Sequence, residues 1–587
     1  MIRRPVRIGN VSGFYGDRHS AMRELVATAD IDVITGDYLA ELTMLILWKA
    51  RKKKPDTGYA HTFLTQFREV AVDCAHRGIK VVVNAGGINP AGMAQQVRDL
   101  VAELGIDLKV AHVEGDDLMP RLPELIEQGV EFANLDTGVL LKDKNIEPVS
   151  ANAYLGGWGI AAALSHGADI VITGRVTDAA LVVGTGAWWH GWRRDDYDAL
   201  AGAVAAGHII ECGPQATGGN YSQIREVTDR RYPGSPIAEL AHDGTFVITK
   251  TPDSGGVVTP GTVIAQLLYE VSGPEYVNPD VVAHFDTCTV SQDGPNRVRV
   301  SGTAGTAPPA TLKVAMNYIG GFRNTMTIAL TGLDIEEKAQ WAIEELMTIL
   351  GGRDRFDDVD IQLLRYDRPD PANMAEATAH LRITVKDADR ARVDRAFSNA
   401  VIELYVAGFA GFYTTTPPTQ ASEFGVYWPT LVPASAVEQV VVHHDGTRED
   451  IELSPAVQSA LGKESPRWHT GSTNDFGPAS RRPLGSVVAA RSGDKGGNAN
   501  VGVWTDTDER WDWLHTYLTV ERFSELVPEA QGLPVRRYEF ANLRALNFVI
   551  AGFLGDGVAS CTRADAQAKS LGEYLRARHI EVPDRLV

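Results

Sequence analysis

The chain has no long apolar run, few cysteines and too little positive charge to balance its acids. Nothing approaches the roughly eighteen consecutive apolar residues of a membrane-spanning helix, so no transmembrane segment is expected. The opening Met1-Ile2-Arg3-Arg4-Pro5 lacks the apolar stretch of a signal peptide. Cys74, Cys212, Cys288 and Cys561 lie far apart, with no Cys-x-x-Cys pair and no Cys/His cluster at zinc spacing. A reduced, cytoplasmic protein is the expectation. Lys and Arg number 56 against 75 Asp and Glu, a formal charge of −19. Such a chain repels nucleic acid and anionic lipid, so neither is expected as a partner. The basic run Arg51-Lys52-Lys53-Lys54 reads as the C-terminal end of a helix, complementing its dipole. No Gly-x-Gly-x-x-Gly follows the first strand, which disfavours a dinucleotide, and neither His-Glu-x-x-His nor Gly-x-Ser-x-Gly occurs.

What is present is ordinary globular composition, 44% apolar and 22% charged, over 587 residues. That length predicts two to four domains. One phrase occurs twice. Asp32-Val33-Ile34-Thr35-Gly36-Asp37 is matched by Asp169-Ile170-Val171-Ile172-Thr173-Gly174-Arg175, which runs on into Val176-Thr177-Asp178. Each is a β-branched run, a buried-strand pattern, ending in Thr-Gly and an ionisable residue. Strands are predicted at 6–9, 32–35, 79–83, 108–113, 130–135 and 169–173. Helices are predicted between them at 20–29, 38–53, 62–76, 91–104, 119–128 and 153–165. The alternation predicts a doubly wound, mostly parallel α/β sheet over 1–285. Every predicted strand is followed by Gly with Asn, Asp, Glu or Arg nearby, and ligands of such sheets bind beyond the carboxyl ends of the strands. Six polar strand ends on one edge predict a binding crevice.

The pattern loosens over 200–285, where the Gly-rich stretches 208–221 and 253–258 read as loops covering that crevice. Residues 286–465 follow a βαββα order, with helices at 335–350 and 389–407, and predict an α+β, ferredoxin-like region. Residues 466–484 read as a linker. Residues 485–587 form a small C-terminal α+β domain. In it a strand at 486–490 enters the glycine-rich Arg491–Asn500 loop and leaves at 501–504.

The segments 34–42, 83–90, 152–183, 211–221, 491–502 and 541–560 resemble the acyclic terpene utilisation family of AtuA type. The resemblance spans nearly the whole chain. It implies a long N-terminal region followed by a ferredoxin-like domain at about 484–587. The family is named for its place among genes for citronellol and geraniol breakdown, where neighbouring steps process branched acyl-CoA thioesters. The resemblance assigns no catalytic residue, so the candidates rest on residue chemistry.

Arg175 and Asp178 lead. The Arg175 fork suits bidentate contact with a carboxylate or thioester oxygen. Asp178 would be an acid–base group or orient the arginine, against a plain helix-capping role. Asp37 and Glu41, four apart on a predicted helix, would share a face and push each other's pKa apart, or bind a divalent cation with Asp116 or Asp117. A helix-start capping role competes. Cys212, after Glu211, is a candidate nucleophile if a cation lowers its pKa, against a buried apolar role. Thr217, Gly218, Gly219 and Asn220 suggest a backbone nest for an anion. Asn84, Gly86, Gly87 and Asn89 suggest a carbonyl-binding loop, with Asn152 and Gly174 beside it. Arg491, Asp494, Lys495 and Asn498 have the composition of a phosphate cradle, though not the spacing of a nucleotide-binding loop. Contact with a CoA phosphate competes there with a tight strand-to-strand turn.

The leading expectation is an enzyme acting on a branched acyl-CoA or related carboxylic acid by lyase- or hydratase-type acid–base chemistry, with no cofactor. A homo-oligomer is expected. The rivals are a non-catalytic subunit associating with an acyl-CoA-processing enzyme, and a metal-dependent thioester hydrolase.

Overall fold

The computed structural model describes residues 3–454 and 476–587. Five short strands form the centre of its largest sheet. Together with β5, Pro148–Ala153, which lies outside that sheet, they are β1 Val6–Asn10, β2 Val33–Gly36, β3 Lys80–Val83, β4 Val110–Glu114 and β6 Ile170–Thr173. The five run parallel in the order β1-β2-β3-β6-β4. Ile8 pairs with Val33, Thr35 with Val82 and His112 with Ile172, so the strand ends align along one edge. Their Val/Ile runs are buried throughout, as strands covered on both faces require. Helices Ala21–Thr28, His61–Arg68 and Pro90–Glu103 send Met22, Leu25, Phe63, Phe67, Met93 and Val97 against Ile34, Val81, Val83 and Ile172 in one core. Alternate strand residues point the opposite way, and helix Ala180–His190 packs against β1, β2 and β3. The doubly wound parallel core is therefore as expected. Antiparallel strands extend both edges to eleven. Pro236–Leu240, Phe246–Lys250, Arg297–Ser301 and Thr289–Gly294 lie beyond β1, and Val440–Val442 and Arg448–Asp450 beyond β4.

Residues 130–135 form no strand. Phe132 takes a left-handed φ of 49°, and Asn134 Oδ1 accepts from the N–H groups of Asp136 and Thr137, closing a turn. The segment 208–221 is not simply a loop. Helix Tyr197–Ile210 runs into it, and a short 3-10 helix, Gly213–Thr217, follows. That first helix is apolar on all sides and almost wholly buried, so it leaves no amphipathic period to read. The expected helix at 38–53 begins at Glu41, and the one at 62–76 divides into His61–Arg68 and Ala71–Arg77.

The described residues divide into two compact units, 3–317 with 427–454, 476–558 and 567–587, and Tyr318–Val426 with Ala559–Ala566. The second holds helices Ile335–Leu350 and Arg395–Ala407 against strands Asp358–Leu364 and Thr378–Asp387, with Leu346, Phe397, Leu381 and Ile383 in its core. This is the expected βαββα order. The strands at 289–301 and 440–450, read in sequence with this stretch, belong to the large sheet of the first unit.

The C-terminal residues of the first unit form a four-stranded antiparallel sheet, Ala489–Lys495, Asn498–Trp504, Ala545–Ile550 and Val535–Phe540 in that spatial order. Arg491–Asn500 is thus mostly paired strand. Its turn is Gly496-Gly497, with Gly496 at φ +61°. Of the stretch read as a linker, 466–475 lies outside the described residues. Ala479–Pro483 is a strand paired with His579–Pro583.

Candidate functional site

Polar residues at the ends of three central strands, Asn10, Asn84 and Asp116, tie neighbouring segments together. After β1, Asn10 Nδ2 donates to the carbonyls of Ile210 and Glu211 at 2.7 and 3.0 Å, tying the strand to the end of helix Tyr197–Ile210. After β2, Gly36 has no room for a side chain, because a Cβ would sit 2.7 Å from the Tyr38 ring. After β3, Asn84 Nδ2 donates to Asp37 Oδ1 at 2.6 Å, while its own Oδ1 accepts from Tyr38 N. After β4, Asp116 Oδ2 accepts from Arg175 N and Asn152 Nδ2, both at 2.9 Å. Gly174 is required there, since a Cβ would lie 2.4 Å from Asp116 Oδ1. Burial pushes the Asp116 carboxyl up to about 7.

These fixings bring Asp37, Asp178 and Glu211 together. One carboxylate oxygen from each lies within 4.8 Å of the others. Burial, then the charges of Asp178 and Glu211, raise the Asp37 carboxyl well above the usual range. Burial, then Asp178 and Glu270, do the same for Glu211. Among the described residues Glu211 Oε2 has no hydrogen-bond partner. His208, 1% exposed, places Nδ1 3.2 Å from Glu211 Oε1. Burial and Lys495 bring His208 down to about 4, so its ring is neutral near pH 7.

Arg175 is the cation in this group. It is 3% exposed, donates from Nη1 to the Leu39 carbonyl at 2.9 Å, and lies 3.2 Å from Asp178 Oδ1. Its guanidinium sits 4.3 Å from the centre of the Tyr154 ring. Burial opposes its charge, but Tyr154, Asp178, Glu41 and Asp37 outweigh that and hold it firmly protonated.

A second set surrounds Tyr154. Its hydroxyl donates to Glu41 Oε1 at 3.1 Å. Lys313, at the start of strand Thr311–Thr331, places Nζ 5.0 Å from the Tyr154 ring and 5.7 Å from that of Tyr427. Tyr427 is buried against Tyr154. Burial lowers Lys313, and Lys495 and Arg175 add to this against the pull of Glu41, leaving it at about 8. Burial opposes the Glu41 charge, yet Lys313 and Arg175 keep its carboxyl below the usual range.

The C-terminal hairpin closes this side. Lys495 Nζ donates to the Glu270 carbonyl at 2.8 Å and sits 5.3 Å from the Tyr276 ring. Burial and Glu270 lift Asp494 to about 7. Arg491 stacks 4.1 Å from the Tyr269 ring and bonds Gln215 Oε1 and the Asn220 carbonyl. Two surface clefts, of about 420 and 440 Å³, are lined by other residues, Trp513, Tyr517 and Arg522 in one and Trp158, Trp188 and Arg194 in the other.

The expected residues thus separate by role. Asp37, Asp178 and Arg175 converge, and Glu41 and the hairpin pair Asp494 and Lys495 lie around them. Asp37 and Glu41 do not share a helix face, because the helix begins at Glu41. Asp178 is not the helix cap, which is Ala179. Asp117 Oδ1 accepts from Met119 N, and Asp116 is engaged with Arg175 and Asn152, so neither joins the carboxylate group. Cys212 is held well above the usual thiol range by burial, Glu211 and Glu270, the reverse of what a nucleophile needs. In the 84–90 loop, the N–H groups of Gly86, Gly87, Ile88 and Asn89 all bond to backbone carbonyls, and Asn89 Oδ1 caps a helix through Gly92 N. Thr217 bonds the carbonyls of Pro214 and Gly234, and Gly219 N bonds Pro214, which leaves little of an anion nest. Asn498 bonds Asp136. Glu211, Tyr154, His208, Lys313 and Tyr427 were not among the expected site residues. The one local signal was Lys313, a lone cation between Leu312 and Val314 in an apolar strand.

The fold and site describe an α/β protein with a buried, charged strand-end site and an appended ferredoxin-like domain. The model of the acyclic terpene utilisation family protein AtuA matches residues 6–443, and that of the AtuA ferredoxin-like domain matches residues 482–581. The chain belongs to the acyclic terpene utilisation family AtuA, and membership points to a role in that utilisation. None of the curated proteins and none of the solved structures compared matches it. Among the described residues no helix is long and apolar enough to cross a membrane.

Proposed function

We propose that the chain is an enzyme that acts on a branched acyl-CoA thioester or a related carboxylic acid by acid–base chemistry of the lyase or hydratase type. The observation that carries this reading is Lys313, lowered to about 8 between the rings of Tyr154 and Tyr427 and beside the permanently charged Arg175. A lysine so tuned is about one-tenth neutral at pH 7 and serves as either base or acid. Its neutral amine removes the proton α to the acyl carbonyl. The electron pair moves onto the carbonyl oxygen as an enolate, which Arg175 and the Tyr427 hydroxyl stabilise. Collapse of the enolate expels the β-substituent, and the Lys313 ammonium returns its proton to a departing hydroxyl, which leaves as water. In the reverse direction the same groups add water across the double bond.

Turnover of a panel of branched-chain acyl-CoA thioesters, followed by the mass of the acyl chain, tests the reading. Lys313→Met is expected to abolish turnover, while Lys313→Arg shifts the pH profile of any residual activity upward. A folded wild-type chain that transforms none of the panel, yet migrates in a stable complex with an acyl-CoA-processing enzyme, overturns it in favour of a non-catalytic subunit.

A further inference from the structure

We infer that Asp37, Asp178 and Glu211 bind one hard divalent cation of the Mg²⁺ or Mn²⁺ type. The three supply one carboxylate oxygen each within 4.8 Å of one another. Adjacent ligands of an octahedral Mg²⁺ or Mn²⁺ lie about 3 Å apart and opposite ones about 4.2 Å, given bonds of about 2.1 Å. The donor set therefore needs little movement to close on an ion, and the remaining positions are left for water or substrate oxygens. All-oxygen ligation selects a hard cation over zinc or copper.

A group of acids alone would prove nothing, but two further observations point to a ligand. Glu211 is 5% exposed, and among the described residues its Oε2 has no hydrogen-bond partner. His208, also buried, places Nδ1 3.2 Å from Oε1. A buried unpartnered carboxylate oxygen is costly, whereas one bound to a metal is satisfied. An imidazole at that distance takes the place of the outer-sphere group that orients a metal ligand. Asn84 already does this for Asp37, donating to Oδ1 at 2.6 Å. Charge agrees as well. With an ion bound all three carboxylates are ionised, and together with the contacting Arg175 a divalent ion then makes the group neutral.

The inference does not depend on the reaction proposed above. It is tested on the full chain with Mn²⁺ as the probe, after stripping with chelator and desalting. Electron paramagnetic resonance titration of free Mn²⁺ is expected to show one tight site per chain, and anomalous density in Mn²⁺-soaked crystals to fall among the three carboxylates. Asp37→Asn, Asp178→Asn and Glu211→Gln should each abolish stoichiometric binding, and His208→Gln should weaken it about 10- to 100-fold. Lys313→Met should retain the site, which separates failure of this inference from failure of the acid–base reading. No tight Mn²⁺ site in the wild-type chain overturns the inference. So does anomalous density elsewhere, or binding that survives all three carboxamide substitutions.

Discussion

A single buried carboxylate, Asp116, and a crowded group of three, of which Asp178 is a quarter exposed, lie beyond the same strand ends and behave oppositely. Asp116 is fully buried, and its Oδ2 accepts two N–H bonds, from Arg175 and Asn152. Asp37, Asp178 and Glu211 crowd together; Asp178 Oδ1 is ion-paired with Arg175 at 3.2 Å, and among the described residues Glu211 Oε2 has no hydrogen-bond partner. The first is architecture, because its acceptor capacity is used in holding the chain. The second keeps an unmet acceptor among carboxylates, an arrangement that persists only where the surrounding fold over-determines it. The lesson is that burial of an acid does not mark a site, whereas burial without partners does.

Arg175 joins the two groups, with its backbone on Asp116 and its side chain on Asp178. Removing its charge should therefore produce the largest effect. Arg175→Met is expected to destabilise the fold by about 3–5 kcal/mol in urea unfolding, as for other broken buried ion pairs. Its backbone bond to Asp116 would survive, so the loss reports the side-chain contacts, with Asp178, the Leu39 carbonyl and the Tyr154 ring. A loss under about 1 kcal/mol would mean that the three acids do not need the cation.

Asp116→Ala probes the other side. It leaves Arg175 N and Asn152 Nδ2 without their acceptor, at about 1–3 kcal/mol each. Destabilisation should be accompanied by loss of any Mn²⁺ site, because Asp178 follows Arg175 by three residues. If stability falls while Mn²⁺ binding is kept, Asp116 supports the chain without setting the site.

Much of this edge was legible in the sequence. The doubled Thr-Gly phrase placed Asp37, Arg175 and Asp178 at strand ends, because β-branched runs and glycines report local backbone demands. What escaped were residues whose role depends on distant packing. Glu211 looked like a neighbour of Cys212, since the helix that delivers it, Tyr197–Ile210, is apolar all round and gave no period. Lys313 and Tyr427 come from strands far along the chain, and no local spacing ties them to Tyr154. The Asp37–Glu41 spacing misled because Tyr38 N is held by Asn84, which delays the helix to Glu41. The 84–90 loop misled because its glycines serve close packing, with Gly86 against the Thr173 carbonyl.

Asp280 extends the comparison to a third buried acid, which accepts one N–H, from Gly157, at 2.7 Å. Burial lifts its carboxyl to about 6 from the ordinary 3.8. The fold therefore binds this proton more tightly than the unfolded chain does. Its contribution is fully present below about pH 3.8 and is lost as pH rises through about 6. Asp280→Asn keeps an acceptor for Gly157 and cannot ionise. It is expected to match the wild type near pH 4 and to exceed it by up to about 3 kcal/mol at pH 8. Equal stability at both pH values would show that the buried carboxylate ionises without strain.

The smallest expected effect is the most discriminating, because its sign depends on the medium. In chelator, Glu211→Gln removes a buried carboxyl whose ionisation burial and Asp178 oppose, so it should raise stability by about 1 kcal/mol. Adding Mn²⁺ should reverse the order. A ligand that binds only the folded chain at 100 times its dissociation constant stabilises it by about 2.7 kcal/mol, and only the wild type can use it. Thermal unfolding of both chains, with and without Mn²⁺, measures the two differences together. An architectural acid such as Asp116 has no reason to show this reversal, since it stands outside the carboxylate group and its Oδ2 already accepts two N–H bonds. If Glu211→Gln is less stable than the wild type even in chelator, Glu211 belongs with Asp116, and the contrast between the two groups fails at its central residue.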